Sequence, residues 1–259
     1  MSTRAKKSLG QHFLADENIL GVIDRLAELH ETDVVLEIGP GQGVLTTYLA
    51  ERVAEVHAIE LDRALEPRLR DAFAGLANIE LQFGDALALD LSALEPAPTK
   101  LVANLPYNVA TPLIAESLDG LPSVGLWCVM VQREVADRFF AEPGTKAYGA
   151  VSVLVQLAAE RTGSHPVSRT VFRPRPNVDS TLVAFRRRGA LPAGYPRLKA
   201  VVGAAFAHRR KQLPNSIELA GLASREQAAA ALARIGREPA TRAEALAPEE
   251  FVALANALE

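Results

Sequence analysis

Apolar residues gather in short, nearly unbroken runs: VVLEI (34–38), VHAIE (56–60), IELQF (79–83), KLVAN (100–104), LWCVMVQ (126–132), VSVLVQLA (151–158) and TLVAF (181–185). Runs of this length, rich in Val, Ile and Leu, predict strands buried on both faces. Between the early runs the period lengthens to a helical one, in VLTTYLAERVA (44–54) and LEPRLRDAFAGL (65–76). Strands alternating with helices predict a mainly parallel sheet covered on both sides. The seven runs predict one doubly wound, Rossmann-like α/β domain over residues 1–188. RRRGALPAGYPR (186–197) reads as a linker. Only helical patterns follow, in LKAVVGAAFAHRRKQ (198–212), SREQAAAALARIG (224–236) and PEEFVALANALE (248–259), so residues 189–259 are expected to form a small all-helical domain.

Composition narrows the class. The 259 residues are 49% hydrophobic and 23% charged, as in soluble globular proteins. No apolar run approaches the roughly 20 residues of a membrane span. The basic start, MSTRAKKSLGQHF, is followed by no secretory core. Its single cysteine, Cys128, excludes an internal disulfide, which points to a reducing cytoplasm, and reads as an inert core residue. Five scattered histidines give no metal-ligand spacing, and no metal is expected. Net charge is −3, which alone argues against nucleic acid. Its distribution argues otherwise. Residues 1–188 carry 19 Lys+Arg against 24 Asp+Glu, and residues 189–259 carry 9 against 7. Lys6–Lys7, Arg173 with Arg175, Arg186–Arg188 and Arg209–Lys211 are local basic clusters, fit either for a basic face or for solvated element ends.

Candidate chemistry sits at strand ends. The first long strand runs into Gly39, Gly41 and Gly43 and then a helix, giving E-x-G-x-G-x-G with Glu37 inside the strand. A glycine turn lets backbone approach a ligand, and the helix start offers free N–H groups. Val44 breaks the G-x-G-x-x-G dinucleotide pattern. The next strand ends in Glu60, whose carboxylate suits paired ribose hydroxyls, and the third in Gly84-Asp85, where an acid can accept from an adenine amino group. Each acid taken alone also fits a helix N-cap. The fourth strand ends in Asn104-Leu105-Pro106-Tyr107, which reads either as a Pro-turn or as a reaction site.

Taken together, these motifs resemble the class I S-adenosylmethionine-dependent methyltransferases. More narrowly, KKSLGQHFLAD (6–16), LEIGPGQGVLT (36–46), IELD (59–62), NLPYN (104–108), MVQREVADRF (130–139), VFRPRPNVDS (171–180) and FAHRRKQLPNS (206–216) resemble the KsgA/RsmA-type 16S rRNA adenine dimethyltransferases. The resemblance implies S-adenosyl-L-methionine as methyl donor and adenine N6 as acceptor. It implies cofactor contacts from His12, Leu14, Gly39, Gly41, Gly43, Glu60, Asp85 and Asn104. His12 departs from the Asn found in many members. The Asn104 side-chain carbonyl and the Leu105 C=O would engage the amine hydrogens, Pro106 would stiffen the turn, and Tyr107 would stack on the extruded base. Phe172, in its Arg- and Pro-rich loop, would clamp the base's other face; read without the resemblance, it is a loop anchor in the core. Lys6, Lys7 and part of the Arg209–Lys211 cluster would meet RNA phosphate. Consecutive residues fan out around a helix, so at least one member of that cluster is expected to pair within the protein. The implied substrate is 16S rRNA in the assembling 30S subunit, dimethylated at two adjacent adenines by a monomer that touches no membrane. A 23S rRNA adenine methyltransferase conferring macrolide resistance and a non-catalytic paralogue are the rival readings. A DNA methyltransferase ranks below both, because no large target-recognition domain is present.

Overall fold

The computed structural model describes residues 11–14, 16 and 18–258. Lys6 and Lys7, expected at phosphate, lie outside the described residues. A short strand β1 (Phe13–Leu14) and helix α1 (Asn18–Ala27) lead into β2 (Val34–Ile38), α2 (Val44–Ala50), β3 (Glu55–Glu60), α3 (Glu66–Ala72) and β4 (Ile79–Phe83). Then come β5 (Lys100–Asn104), α4 (Ala110–Gly120), β6 (Leu126–Gln132), α5 (Arg133–Phe139), α6 (Ala150–Ala158), β7 (Ala159–Val167), β8 (Phe172–Arg173) and β9 (Ser180–Arg187). The seven-stranded sheet has the order β4-β3-β2-β5-β6-β9-β7. β2 to β6 pair in parallel, and β9 returns antiparallel to β6. The fold is therefore a doubly wound α/β sheet. β1 and β8 form a separate two-stranded sheet.

Side chains alternate across each strand, so successive residues meet different layers. Val35, Val56, Val102, Cys128, Met130 and Leu182 share one cluster with α1 and α2. The neighbouring positions face the other way, where Trp127 donates its indole N–H to Ser117 of α4. Both faces are covered, which is why these strands are apolar throughout.

One expected strand is a helix. VSVLVQLA folds as α6, with Val151, Ser152, Val153, Leu154, Val155 and Ala158 all buried. A fully buried helix lacks a polar stripe, so periodicity cannot separate it from a buried strand. The seventh strand is instead AERTGSHPV (159–167), at the end of the sheet order, exposed along most of its length and broken by Gly163 and Pro166. An edge strand of this kind gives no apolar signal.

The chain divides into two compact units, residues 1–136 with 160–187 and residues 137–159 with 188–259. This differs from a single division after residue 188, because α6 packs with the C-terminal helices α7 (Tyr195–Ala207) and α10 (Pro248–Ala257). Buried Tyr148, just before α6, donates to the Leu246 carbonyl at 2.8 Å, and its ring meets Phe206 of α7 edge-on. The second unit also contains α8 (Leu213–Leu219), with Pro214 in its first turn, and α9 (Arg225–Arg234), which opens on a reciprocal Ser224–Gln227 capping box. α7 stops at Ala207, so Arg209, Arg210 and Lys211 occupy a turn rather than a helix.

Candidate functional site

The carboxyl ends of β2, β3, β4 and β5 open into one cleft of about 1060 Å³, counted to its open mouth. It lies at the end of the sheet where open α/β folds bind ligands. Its lining brings together His12, Leu14, Gly39, Gly41, Glu60, Asp85, Asn104, Leu105, Pro106 and Tyr107.

The glycine loop is shaped by its neighbours. Gly39 (φ 79°) and Gly41 (φ 61°) adopt conformations that favour glycine, and a Cβ on Gly41 would lie 2.9 Å from the Phe13 ring. Glu60, buried at the end of β3, accepts from the Gly41 N–H at 3.1 Å and the Asp62 N–H at 2.8 Å. Burial raises its pKa. Each of its oxygens keeps a second lone pair. Glu37 is more extreme. It is fully buried in the cleft wall, and burial pushes its pKa to about 8. Thr46 stands beside it, yet Glu37 Oε2 and Thr46 Oγ1 both lack a hydrogen-bond partner. Asp85 is exposed, and its Oδ1 accepts from Leu87 N–H at 3.0 Å, which leaves Oδ2 for another donor. Leu61 and Leu87, 55% and 41% exposed, line the cleft beside these two acids.

At the end of β5, Leu105 N–H still donates to Met130 O, carrying the β5–β6 pairing one residue further. The Pro106 carbonyl then accepts from Val109 and Ala110 and starts α4. Asn104 Nδ2 donates to the His12 carbonyl at 3.1 Å, leaving Oδ1 as its remaining acceptor. Tyr107 is fixed by a 2.7 Å hydrogen bond to Ser180 Oγ, and its ring lies 5.4 Å from that of His12. His12 Nδ1 donates to the Pro174 carbonyl at 2.8 Å, so Nε2 is the nitrogen left to accept.

Two expected site residues stand elsewhere. Gly43 (φ 85°) is outside the lining; a Cβ there would lie 2.9 Å from Phe73 Cε1, so this glycine serves the packing of α2 on α3. Phe172 is 0% exposed in the core cluster and outside the lining, so its ring offers no face to a base. Its strand instead holds β1, pairing Leu14 with Phe172 and Phe13 with Arg173. The buried ring thereby positions the segment that carries His12 and Leu14. Sequence reasoning missed Phe13, Leu61 and Leu87. A leucine just after a strand-end acid, or a phenylalanine between His12 and Leu14, carries no sequence signal of cleft contact.

The basic clusters separate into bound and exposed members. Arg187 donates to the carbonyls of Leu118, Leu121 and Val124, and Arg186 pairs with Glu28 at 2.7 Å. Arg209 pairs with Glu244 at 3.1 Å and donates to Thr145 O. Arg175, Arg210 and Lys211 are exposed. Among the described residues, no helix is long and apolar enough to cross a membrane.

Known proteins match this arrangement along its whole length. A family profile described as ribosomal RNA adenine dimethylase matches residues 2–259. The ribosomal RNA small subunit methyltransferase A of Rubrobacter xylanophilus is 49% identical over 251 residues, covering 97% of this chain and 94% of its own. The protein of that name from Geobacter metallireducens is 41% identical over 268 residues, covering 98% and 96%. A dimethyladenosine transferase from Plasmodium falciparum has the same fold, with a TM-score of 0.74 at 23% identity over 94% of this chain and 96% of that one. The 23S rRNA methyltransferase ErmE gives a TM-score of 0.64 at 28% identity, covering 95% and 99%.

Proposed function

The chain belongs to the ribosomal RNA adenine dimethylase family, and from that premise we propose that it dimethylates N6 of two adjacent adenines in the 3′-terminal hairpin loop of 16S rRNA. The proposed methyl donor is S-adenosyl-L-methionine, and the proposed setting is an assembling 30S subunit in the cytoplasm, with the enzyme acting as a monomer. One observation carries this reading. A single cleft joins an acid-and-glycine wall to the Asn104–Tyr107 turn.

The cleft's residues fit the donor. Glu60 has the spare lone pairs for a ribose diol, Asp85 Oδ2 for an adenine amine, and the exposed Leu61 and Leu87 side chains for the faces of a purine. Glu37, buried with an unpartnered oxygen, suits the positively charged end of the cofactor. When bound, the cofactor supplies an electrophilic methyl group on a sulfonium. The protein's share is placement. Adenine's amine is a weak nucleophile because its lone pair is delocalised into the ring. Asn104 Oδ1 and the Leu105 carbonyl are assigned to accept its two N–H hydrogens and align it, while Tyr107, held by Ser180, gives the extruded base a stacking face. Arg175, Arg210 and Lys211 are assigned to RNA phosphate, with the helical unit as an rRNA-binding element.

The 23S-directed rival has weaker support, since ErmE is 28% identical and the small-subunit enzymes 49% and 41%. Labelled methyl donor should be given to small subunits lacking the modification and, separately, to 23S rRNA. Dimethyladenine near the 3′ end of 16S rRNA is the expected product. Label on 23S rRNA, or no label from a cofactor-loaded chain, would overturn the assignment.

A further inference from the structure

We infer that Glu55, His57 and Glu80 form a binding site for one divalent first-row transition-metal cation, such as Zn²⁺, that ties edge strand β4 to β3. His57 and Glu80 are direct partners across the parallel β3–β4 pair, and Glu55 lies two residues before His57 on the same face. One donor atom from each lies within 4.8 Å of the others. Metal-ligand spacing along the chain cannot reveal this trio, because Glu80 arrives on the next strand.

The buried imidazole is the centre of the site. His57 is 0% exposed, and its Nε2 is 2.8 Å from the Pro96 carbonyl. A carbonyl only accepts, so Nε2 carries a hydrogen, and in the neutral form of the ring the lone pair is on Nδ1. That is the arrangement by which proteins orient a metal-binding histidine. Nδ1 is buried without a hydrogen-bond partner, although Glu80 Oε2 is only 2.9 Å away. The carboxylate oxygen therefore stands to one side of the ring N–H direction. Two lone-pair donors this close repel unless a cation joins them. An off-axis approach suits a metal: with bonds of about 2.0–2.1 Å, donors 2.9 Å apart subtend about 90° at the ion. One imidazole and two carboxylates suit a borderline divalent ion. Glu80 is 55% exposed and gives the ion a way in. The rival occupant is a proton, making His57 an imidazolium paired with Glu80.

The test uses the full-length, tag-free chain stripped with a chelator and titrated with ZnCl₂ by calorimetry. One equivalent should bind and raise the Tm. Glu80→Gln and Glu55→Gln lie outside the cleft and on accessible positions; each should weaken binding at least about tenfold, the scale of losing part of a metal's ligand environment, with methyl transfer unchanged. Absence of binding, or an affinity that both variants retain, would overturn the site. So would imidazole NMR signals showing both His57 nitrogens protonated in the zinc-treated protein.

Discussion

Glu60 has two tasks for one carboxylate. It holds the glycine loop through Gly41 N–H and is assigned to the ribose. Glu60→Ala should therefore lower cofactor affinity by about 1–3 kcal/mol, for a lost buried acceptor, and should also lower Tm; unchanged calorimetric affinity would move the ribose contact elsewhere. Asn104 divides the other way. Its Nδ2 braces His12, while Oδ1 is free for substrate. Asn104→Ala should cut methyl transfer by on the order of 10²-fold or more and leave cofactor affinity within a few-fold. Transfer near the wild-type rate would remove it from the chemistry. Glu37 gives a pH signature. Its folded pKa, about 8, lies above the ordinary 4.5, so its contribution to stability is full below 4.5, drains as pH rises, and is gone above about 8. The Tm of wild type relative to Glu37→Gln should fall across that window. A cationic ligand favours the carboxylate, so cofactor binding near neutrality should release a proton, read as a buffer-dependent heat. These acids were legible in the sequence because each ends a strand or precedes the glycine turn. Leu61, Leu87 and Phe13 were not, since a leucine or phenylalanine carries no mark of exposure or of contact with a loop.

At the scale of elements, strands buried on both faces announce themselves, and β2, β3, β5, β6 and β9 were readable as apolar runs, as was the partly buried edge strand β4. The failures share one cause, that burial and partner are tertiary facts. α6 is as apolar as a core strand because helices surround it, and β7 is as polar as a loop because it lies at the edge of the sheet. Phe172 shows the same limit. The resemblance implied a base clamp there, yet the ring is core, as the residues read alone suggest, and β8 uses it to hold β1. Phe172→Ala should cost about 3–5 kcal/mol of stability, as for other buried aromatic truncations. Denaturant unfolding checks this: a base clamp would instead lose activity with stability intact. Gly43 separates from Gly41 in the same way. Gly43→Ala forces a Cβ against Phe73 and should lower Tm first, whereas Gly41→Ala pushes on Phe13 in the cleft wall and should impair cofactor binding as well.

For the whole molecule, a net charge of −3 looks unsuited to RNA, and counting basic residues does not resolve the difficulty. Pairing does. Arg187 is committed to three carbonyls in and just after the last turn of α4, Arg186 to Glu28 and Arg209 to Glu244, whereas Arg175, Arg210 and Lys211 remain exposed. An exposed cation that meets a phosphate releases a counterion, so it sets the salt dependence of binding more than its sequence preference. Arg175→Ala and Arg210→Ala should each flatten the plot of log affinity against log salt by roughly 0.7, the value for one phosphate contact on single-stranded RNA, without changing which adenines are methylated. Arg187→Ala should leave that slope unchanged and lower Tm, because three carbonyls lose their donor. Binding to the 16S hairpin across a potassium chloride series distinguishes the two groups. If Arg187→Ala flattened the slope and the exposed arginines did not, the RNA face would have to be sought among residues now assigned to the fold.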